Sequence, residues 1–330
     1  MRLSHRSAMM MALAGGLALA VAGTAVASPA RTAAGQIKVT AVIHVGGEPM
    51  AVAVDPLTDR VYVADNSDKR VSVISGPARK VIATVRIGGY PDGVAVNPQT
   101  NRIYFASVIT NKVSVMSGRT DKVIATIPSG GQPGAVAVDP ATNLVYVVNN
   151  TANTVSVISG RTNKVTATIP VGDFPFDVAV NPSTDLIYVG SSSSDTVSVI
   201  NGHTNKVTAT ITTGQAVDAV GVNPATNLVY AVNDAGRTVS VINGQTSTVI
   251  ATVNTGRRAA GVAINTQTNV IYVSDYVSNT LSVISGQTST LTATIPRVGS
   301  WPRAVAVDPA TSTIYTANLA GHSVSVLTGS

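Results

Sequence analysis

The sequence predicts an all-β protein: a seven-bladed β-propeller with four antiparallel strands per blade and a ring closed by the N-terminal strand completing the last blade. Three observations predict it. A repeat recurs with a period in the forties, each copy holds four short β-branched runs, and the two ends of the repeat array complete one another. Such a period, carried along most of a chain, marks a repeat architecture.

The copies align on Pro49, Pro91, Pro133, Pro175 and Pro302, with Val217 and Ala259 at the same place in copies five and six. Successive anchors lie 42 residues apart five times and 43 once. A tyrosine keeps the rhythm at Tyr62, Tyr104, Tyr146, Tyr188, Tyr230, Tyr272 and Tyr315, and a glycine at Gly76, Gly118, Gly160, Gly202, Gly244, Gly286 and Gly329.

Within the third copy the apolar runs are 135–138, 144–148, 154–158 and 164–169, rich in Val, Ile and Thr. Branching at Cβ favours the extended backbone. Asp139-Pro140, Asn149-Asn150, Ser159-Gly160 and Gly172 supply turn chemistry between them. No window of helical length keeps an i, i+3, i+4 apolar pattern, so helical repeats are excluded. Four strands per copy make one propeller blade.

The seventh copy has three strands, because the chain ends at Ser330 after the run 323–327. The run 38–47 aligns with 80–89, the last strand of copy one. That N-terminal strand is expected to pair beside 323–327 and remove the exposed edge at the seam.

Taken in order, residues 1–27 read as a secretory signal peptide: Arg2 and Arg6, the apolar stretch 8–22, then Ala25-Val26-Ala27 as cleavage site. Residues 28–37 form a flexible lead, and 38–330 a single propeller domain. After Gln36 no apolar run approaches membrane-spanning length, so a secreted, extracytoplasmic monomer is expected. The absence of cysteine excludes disulfides, thiolate metal sites and cysteine-linked haem. The net charge of +6 is spread thinly along the chain, unlike the dense patch that grips a duplex, which argues against nucleic acid as partner.

The copies resemble the YVTN-type β-propeller repeat family over residues 38–330. The motif stands as Tyr62-Val63-Ala64-Asp65, Tyr146-Val147-Val148-Asn149, Tyr230-Ala231-Val232-Asn233, Tyr272-Val273-Ser274-Asp275 and Tyr315-Thr316-Ala317-Asn318, with Ser107 and Ser191 departing from it in copies two and four. The resemblance implies the fold and no shared catalytic set. The tyrosines are expected to pack between blades with their hydroxyls satisfied at a blade edge. The Asn or Asp three residues on should bond the backbone of the following turn. The periodic glycine should supply a positive φ to the next turn.

If periodic residues build the ring, function sits where copies differ. Before each anchor stand Glu48, Tyr90, Gln132, Phe174, Ala216, Arg258 and Trp301; after it, Met50, Asp92, Gly134, Phe176, Asp218, Ala260 and Arg303. Tyr90, Phe174, Phe176, Trp301 and Tyr276 all fall on one face, at the mouth of the central channel. Arg257, Arg258, Trp301 and Arg303 are expected to cluster there as a contact patch for a carboxylate, a phosphate or a sugar ring. The opposite face carries Lys38, Lys80, Lys122, Lys164 and Lys206, read as protection of outer sheet edges.

Catalysis needs a convergent acid, base, nucleophile or metal. The chain past the signal holds three histidines in separate copies, His44, His203 and His322, and one glutamate, Glu48. Glu48, Asp92, Asp177 and Asp218 are the candidates for a hard cation, which would serve a metal-assisted lactonase or lyase. No cofactor is expected. The favoured reading is a non-catalytic binding or scaffold module for a protein or cell-envelope polymer.

Overall fold

A computed structural model describes residues 37–329; the expected signal peptide and most of the lead lie outside the described residues. Seven four-stranded antiparallel sheets form a ring of blades, as the repeat predicts. Blade 1 runs outward through Pro49–Asp55, Arg60–Asp65, Arg70–Ser75 and Lys80–Arg86. Blade 7 takes Pro302–Asp308, Thr313–Asn318 and Ser323–Thr328 from the C-terminal end and Lys38–His44 as its outermost strand. The seam pairs Lys38 with Thr328 through to His44 with Ser323. The innermost strands touch in ring order, and blade 7 meets blade 1.

The core is a set of clusters between neighbouring blades. One joins Tyr104, Ala106, Val113, Val115 and Ile127 of blade 2 to Val136, Val145, Val147 and Ile158 of blade 3. Strand pleat explains this: alternate side chains face opposite sides, and both faces of a blade are covered. Phe105, the one aromatic out of register, is fully buried in such a cluster.

Three periodic residues do work other than expected. The tyrosines do pack between blades, but the hydroxyls of Tyr62, Tyr104, Tyr146, Tyr188 and Tyr230 are buried without a hydrogen-bond partner. The periodic glycines have no positive φ. Four of them, Gly76, Gly118, Gly160 and Gly244, sit against the preceding blade's tyrosine and a turn residue of their own blade. A Cβ on Gly160 would meet the Asn143 side chain and lie 2.8 Å from the Tyr104 hydroxyl, while Gly202 and Gly286 are crowded by Asp185 and Asn269. The left-handed turn positions fall instead to residues such as Asn101, Asn143 and Asn227. The Asn or Asp ending the second strand turns inward to the third strand rather than to the following turn. Asn149 donates to Thr154 (3.0 Å) and Ser156 (2.9 Å), and Asp275 accepts from Thr280 and Ser282, each at 2.8 Å.

The repeated Asn-Pro-x-Thr-Asn stretch bonds blade to blade: Asn97 donates to Asn143 at 2.9 Å, and Asn181 to Asn227 at 2.8 Å. Every outermost strand also carries a bulge at one place, Thr40, Ile82, Ile124, Thr166, Thr208, Ile250 or Thr292. A bulge twists an edge away from further pairing, which adds to the exposed lysines Lys38, Lys80, Lys122, Lys164 and Lys206.

Candidate functional site

The residue before each anchor is clamped between two blades. Its carbonyl accepts an N–H from the loop joining strands two and three of the blade it enters, in all seven blades: Asn66 to Glu48, Val108 to Tyr90, Asn150 to Gln132, and onward to Leu319 to Trp301. In five of the seven, all but Tyr90 and Arg258, its own N–H also reaches back to a side chain of the blade it leaves. Gln132 donates to Asn111 (2.8 Å), Phe174 to Asn153 (2.9 Å), Ala216 to Asp195 (2.7 Å) and Trp301 to Asn279 (2.8 Å). At the seam, Glu48 donates to His322 Nδ1 at 3.1 Å. Six of the seven clamped residues hold the left-handed conformation, Tyr90 being the exception. Side chains here vary freely because the backbone alone makes the joint.

This scaffold fixes where the candidate residues point. Trp301 is 46% exposed and stacks on Tyr276, ring centroids 5.2 Å apart and 36° tilted. Exposed Arg257 is tied by its backbone to the loop that carries Tyr276, its N–H held by Ser278 at 2.8 Å and its carbonyl accepting from Val277 at 3.2 Å, and its side chain makes no ion pair among the described residues. Arg258 pairs with Asp234 at 2.8 Å. Phe174 lies 6.3 Å from Phe176, while Tyr90 stands apart under the Lys69 ammonium, 4.6 Å from its centroid.

The expected four-residue rim cluster therefore divides, and Arg303 is the correction. Its side chain is only 16% exposed and turns into the channel, past blade 6. It sits 3.5 Å from Asp218 of blade 5 and 5.2 Å from the Phe176 ring centroid of blade 4, with the Ala260 carbonyl at 3.4 Å. The residue after an anchor faces the channel axis, where a cation is drawn to the carboxylates opposite.

Two cavities share this waist. The inner chamber, about 260 Å³, is lined by the innermost strands of all seven blades and holds Asp92, Asp177 and Asp218. The outer vestibule, about 350 Å³, is bounded by Tyr276, Arg258, Asp234 and Leu319, and it shares Met50, Phe176, Asp218, Ala260 and Arg303 with the chamber. Burial pushes the Asp177 carboxyl up to about 6, against backbone N–H bonds from Val220 and Val178 that favour its charged form. Asp92 and Asp218 are also raised by burial, which the Arg303 charge opposes.

Glu48 stays exposed on the rim, away from the chamber lining. Among the described residues no three His, Asp or Glu side chains converge closely enough to hold a metal ion. His44 and His322 are neighbours across the seam, as the pairing of His44 with Ser323 requires, but His322 serves the clamp. His203 pairs with Asp185 on an outer turn. Sequence reasoning missed Asp234 and Leu319, and named Met50 only among the variable after-anchor positions. Asp234 was legible as a departure from its repeat position, which reads Asn66, Val108, Asn150, Ser192, Asp234, Tyr276 and Leu319.

A family model described as the cytochrome D1 heme domain matches residues 182–326, less than half of the chain. No curated protein matches the sequence. Among solved structures, the Kuenenia stuttgartiensis hydrazine synthase is similar with a TM-score of 0.77 at 17% identity, covering 84% of this chain and 95% of that one. At that identity the likeness shows the fold alone. Haem iron is held by His, Cys, Met or Tyr. The chain has no cysteine, and none of the described histidines lines either cavity. Met50 and Tyr276 line the vestibule, but Tyr276 is stacked on Trp301, and three carboxylates line the chamber, where they would repel haem propionates. The residues present do not fit a haem. The matching segment and the similar structure agree on a propeller, with no helix among the described residues long and apolar enough to cross a membrane.

Proposed function

We propose that this chain is an exported YVTN-type propeller acting as a binding module, and that its partner docks on the channel-mouth face against Trp301, Tyr276 and Arg257. The carrying observation is the stacked Tyr276–Trp301 pair, an aromatic step held on a backbone bonded to two blades, with the backbone of exposed Arg257 bonded to the same Tyr276 loop. Exposed aromatics cost less entropy to order than flexible side chains, and Trp, Tyr and Arg dominate interface energetics. The partner this surface suits carries a planar or saccharide ring next to an anionic group, on an extracytoplasmic protein or an envelope polymer.

No catalytic step is assigned. The alternative lactonase or lyase reading needs a convergent cation site, and the chamber carboxylates do not supply one.

The test is capture from envelope and culture fractions with the tagged protein, followed by titration of the captured partner. Trp301→Ala with Arg257→Ala should weaken binding by about thirtyfold or more, the scale of a hot spot. Arg303→Gln leaves it unchanged. A partner that binds the Trp301→Ala/Arg257→Ala protein as well as the parent would overturn the mouth-face reading.

A further inference from the structure

The structure assigns the channel chamber beneath the mouth to a slim organic cation, an alkylammonium or guanidinium compound, for which the Arg303 guanidinium is a tethered stand-in. The sequence favoured an anion held by an arginine cluster on the rim and offered Asp92, Asp177 and Asp218, with Glu48, only for a hard metal cation.

The charge arrangement carries the argument. Asp92, Asp177, Asp218 and Asp234 line the two cavities against two guanidiniums, Arg258 and Arg303. Arg258 stands at the outer edge, 65% exposed and paired with Asp234. That leaves one interior cation facing three carboxylates, in a chain whose overall charge is +6. A cleft lined by one sign of charge with low-dielectric walls focuses its field and draws the opposite ion in.

A cation is already seated there. The Arg303 guanidinium has a carboxylate at one side and an aromatic face at the other, with Asp218 at 3.5 Å and the Phe176 centroid at 5.2 Å. Carboxylate plus aromatic face is the chemistry that recognises ammonium and guanidinium groups. Room remains beside it, because Gly93, Ala135, Ala219, Gly261 and Ala304 leave the chamber wall bare.

The remaining carboxylates keep spare acceptor capacity. Asp177 accepts the backbone N–H groups of Val220, at 2.8 Å, and Val178, and Asp92 has no hydrogen-bond donor among the described residues. In the vestibule, Asp234 is 8% exposed and its Oδ1 is buried without a partner. An entering ammonium or guanidinium group supplies the missing donors, and its charge offsets the burial of carboxylates. A bare metal ion does not fit, since no three of these groups converge.

The assignment is independent of the rim reading, because Trp301 and Arg257 take no part in it. Titration calorimetry at pH 7.5 and low salt tests it with agmatine and putrescine, against glutarate and 1,5-pentanediol as anionic and neutral controls. Agmatine should bind saturably to the parent and the controls should not. Arg303→Gln removes the tethered competitor and should tighten agmatine binding by about tenfold, a gain that misfolding cannot produce. Asp92→Asn with Asp177→Asn should abolish binding, with the unfolding midpoint showing that the ring is intact. Trp301→Ala should leave agmatine affinity unchanged, so the two readings fail separately. The assignment is overturned if agmatine does not bind the parent or Arg303→Gln, if Arg303→Gln weakens it, or if glutarate binds in its place.

Discussion

The Tyr104 hydroxyl of blade 2 lies over Gly160 of blade 3, so close that a Cβ on that glycine would stand 2.8 Å from it and 2.8 Å from the Asn143 carbonyl. Tyr62 with Gly118, Tyr188 with Gly244 and Tyr315 with Gly76 repeat the relationship around the ring. At these four junctions the tyrosine and the neighbouring turn residue together require a bare backbone. Gly160→Ala should destabilise the protein by about 1–3 kcal/mol, the usual cost of overpacking. Tyr104→Phe should be neutral or stabilising, since it removes a buried hydroxyl that has no partner. Urea unfolding of each variant and of the pair checks this. The pair should recover only part of the Gly160→Ala loss, because the contacts with the Asn143 side chain and carbonyl remain.

The fold was legible because each repeat states its own turns and periods, and because 38–47 so closely copies 80–89. What misled was residue type read without neighbours. A periodic glycine suggests positive φ, yet here Asn101, Asn143 and Asn227 take that conformation while glycine yields space to a tyrosine. The site was half legible for the same reason. Trp301 and Tyr276 were placed on one face by period alone, and they stack. Arg303 was placed two residues from Trp301, but pleat sends its side chain into the channel, and the pull of Asp218 two blades away has no signature in a local window.

The clamp at Trp301 gives a second expectation. Its N–H is held by Asn279 Oδ1 at 2.8 Å, and its left-handed φ of 56° is strained for a bulky residue. Asn279→Ala should cost about 1 kcal/mol and release the ring from Tyr276. Trp301 is the sole tryptophan, so its emission reports the loop directly. Asn279→Ala should red-shift that emission and raise its quenching by acrylamide. Asn279→Asp keeps the acceptor and should leave both unchanged. Unaltered emission in the alanine variant would show that the stack, not the clamp, positions the indole.

A third expectation concerns pH. Asp65 is fully buried, and desolvation pushes its carboxyl up to about 6 despite the Ser72 hydrogen bond at 2.6 Å. Asp177 is raised to the same level. In the unfolded chain an aspartate titrates near 3.9. Between about pH 4 and pH 6 the folded protein therefore holds protons that the unfolded chain has lost, so stability falls as pH rises through that window and levels off above it. At the position of Asp65, blades 3, 5 and 7 carry Asn149, Asn233 and Asn318, whose amides donate to Ser156 (2.9 Å), Ser240 (3.0 Å) and Ser325 (2.9 Å). Asp65→Asn can donate to Ser72 in the same way without burying a charge. It should raise stability at pH 7 by about 1–3 kcal/mol and leave that at pH 4 nearly unchanged. Urea midpoints across the window check the sign: a parent that gains stability from pH 4 to pH 6, or an asparagine variant with the parent's slope, would mean that Asp65 stays charged in the folded ring. The remaining slope is shared by the other aspartates that burial raises, Asp177, Asp92 and Asp218 of the chamber and Asp275, and agmatine, by favouring the ionised form of the chamber carboxylates, should flatten it further.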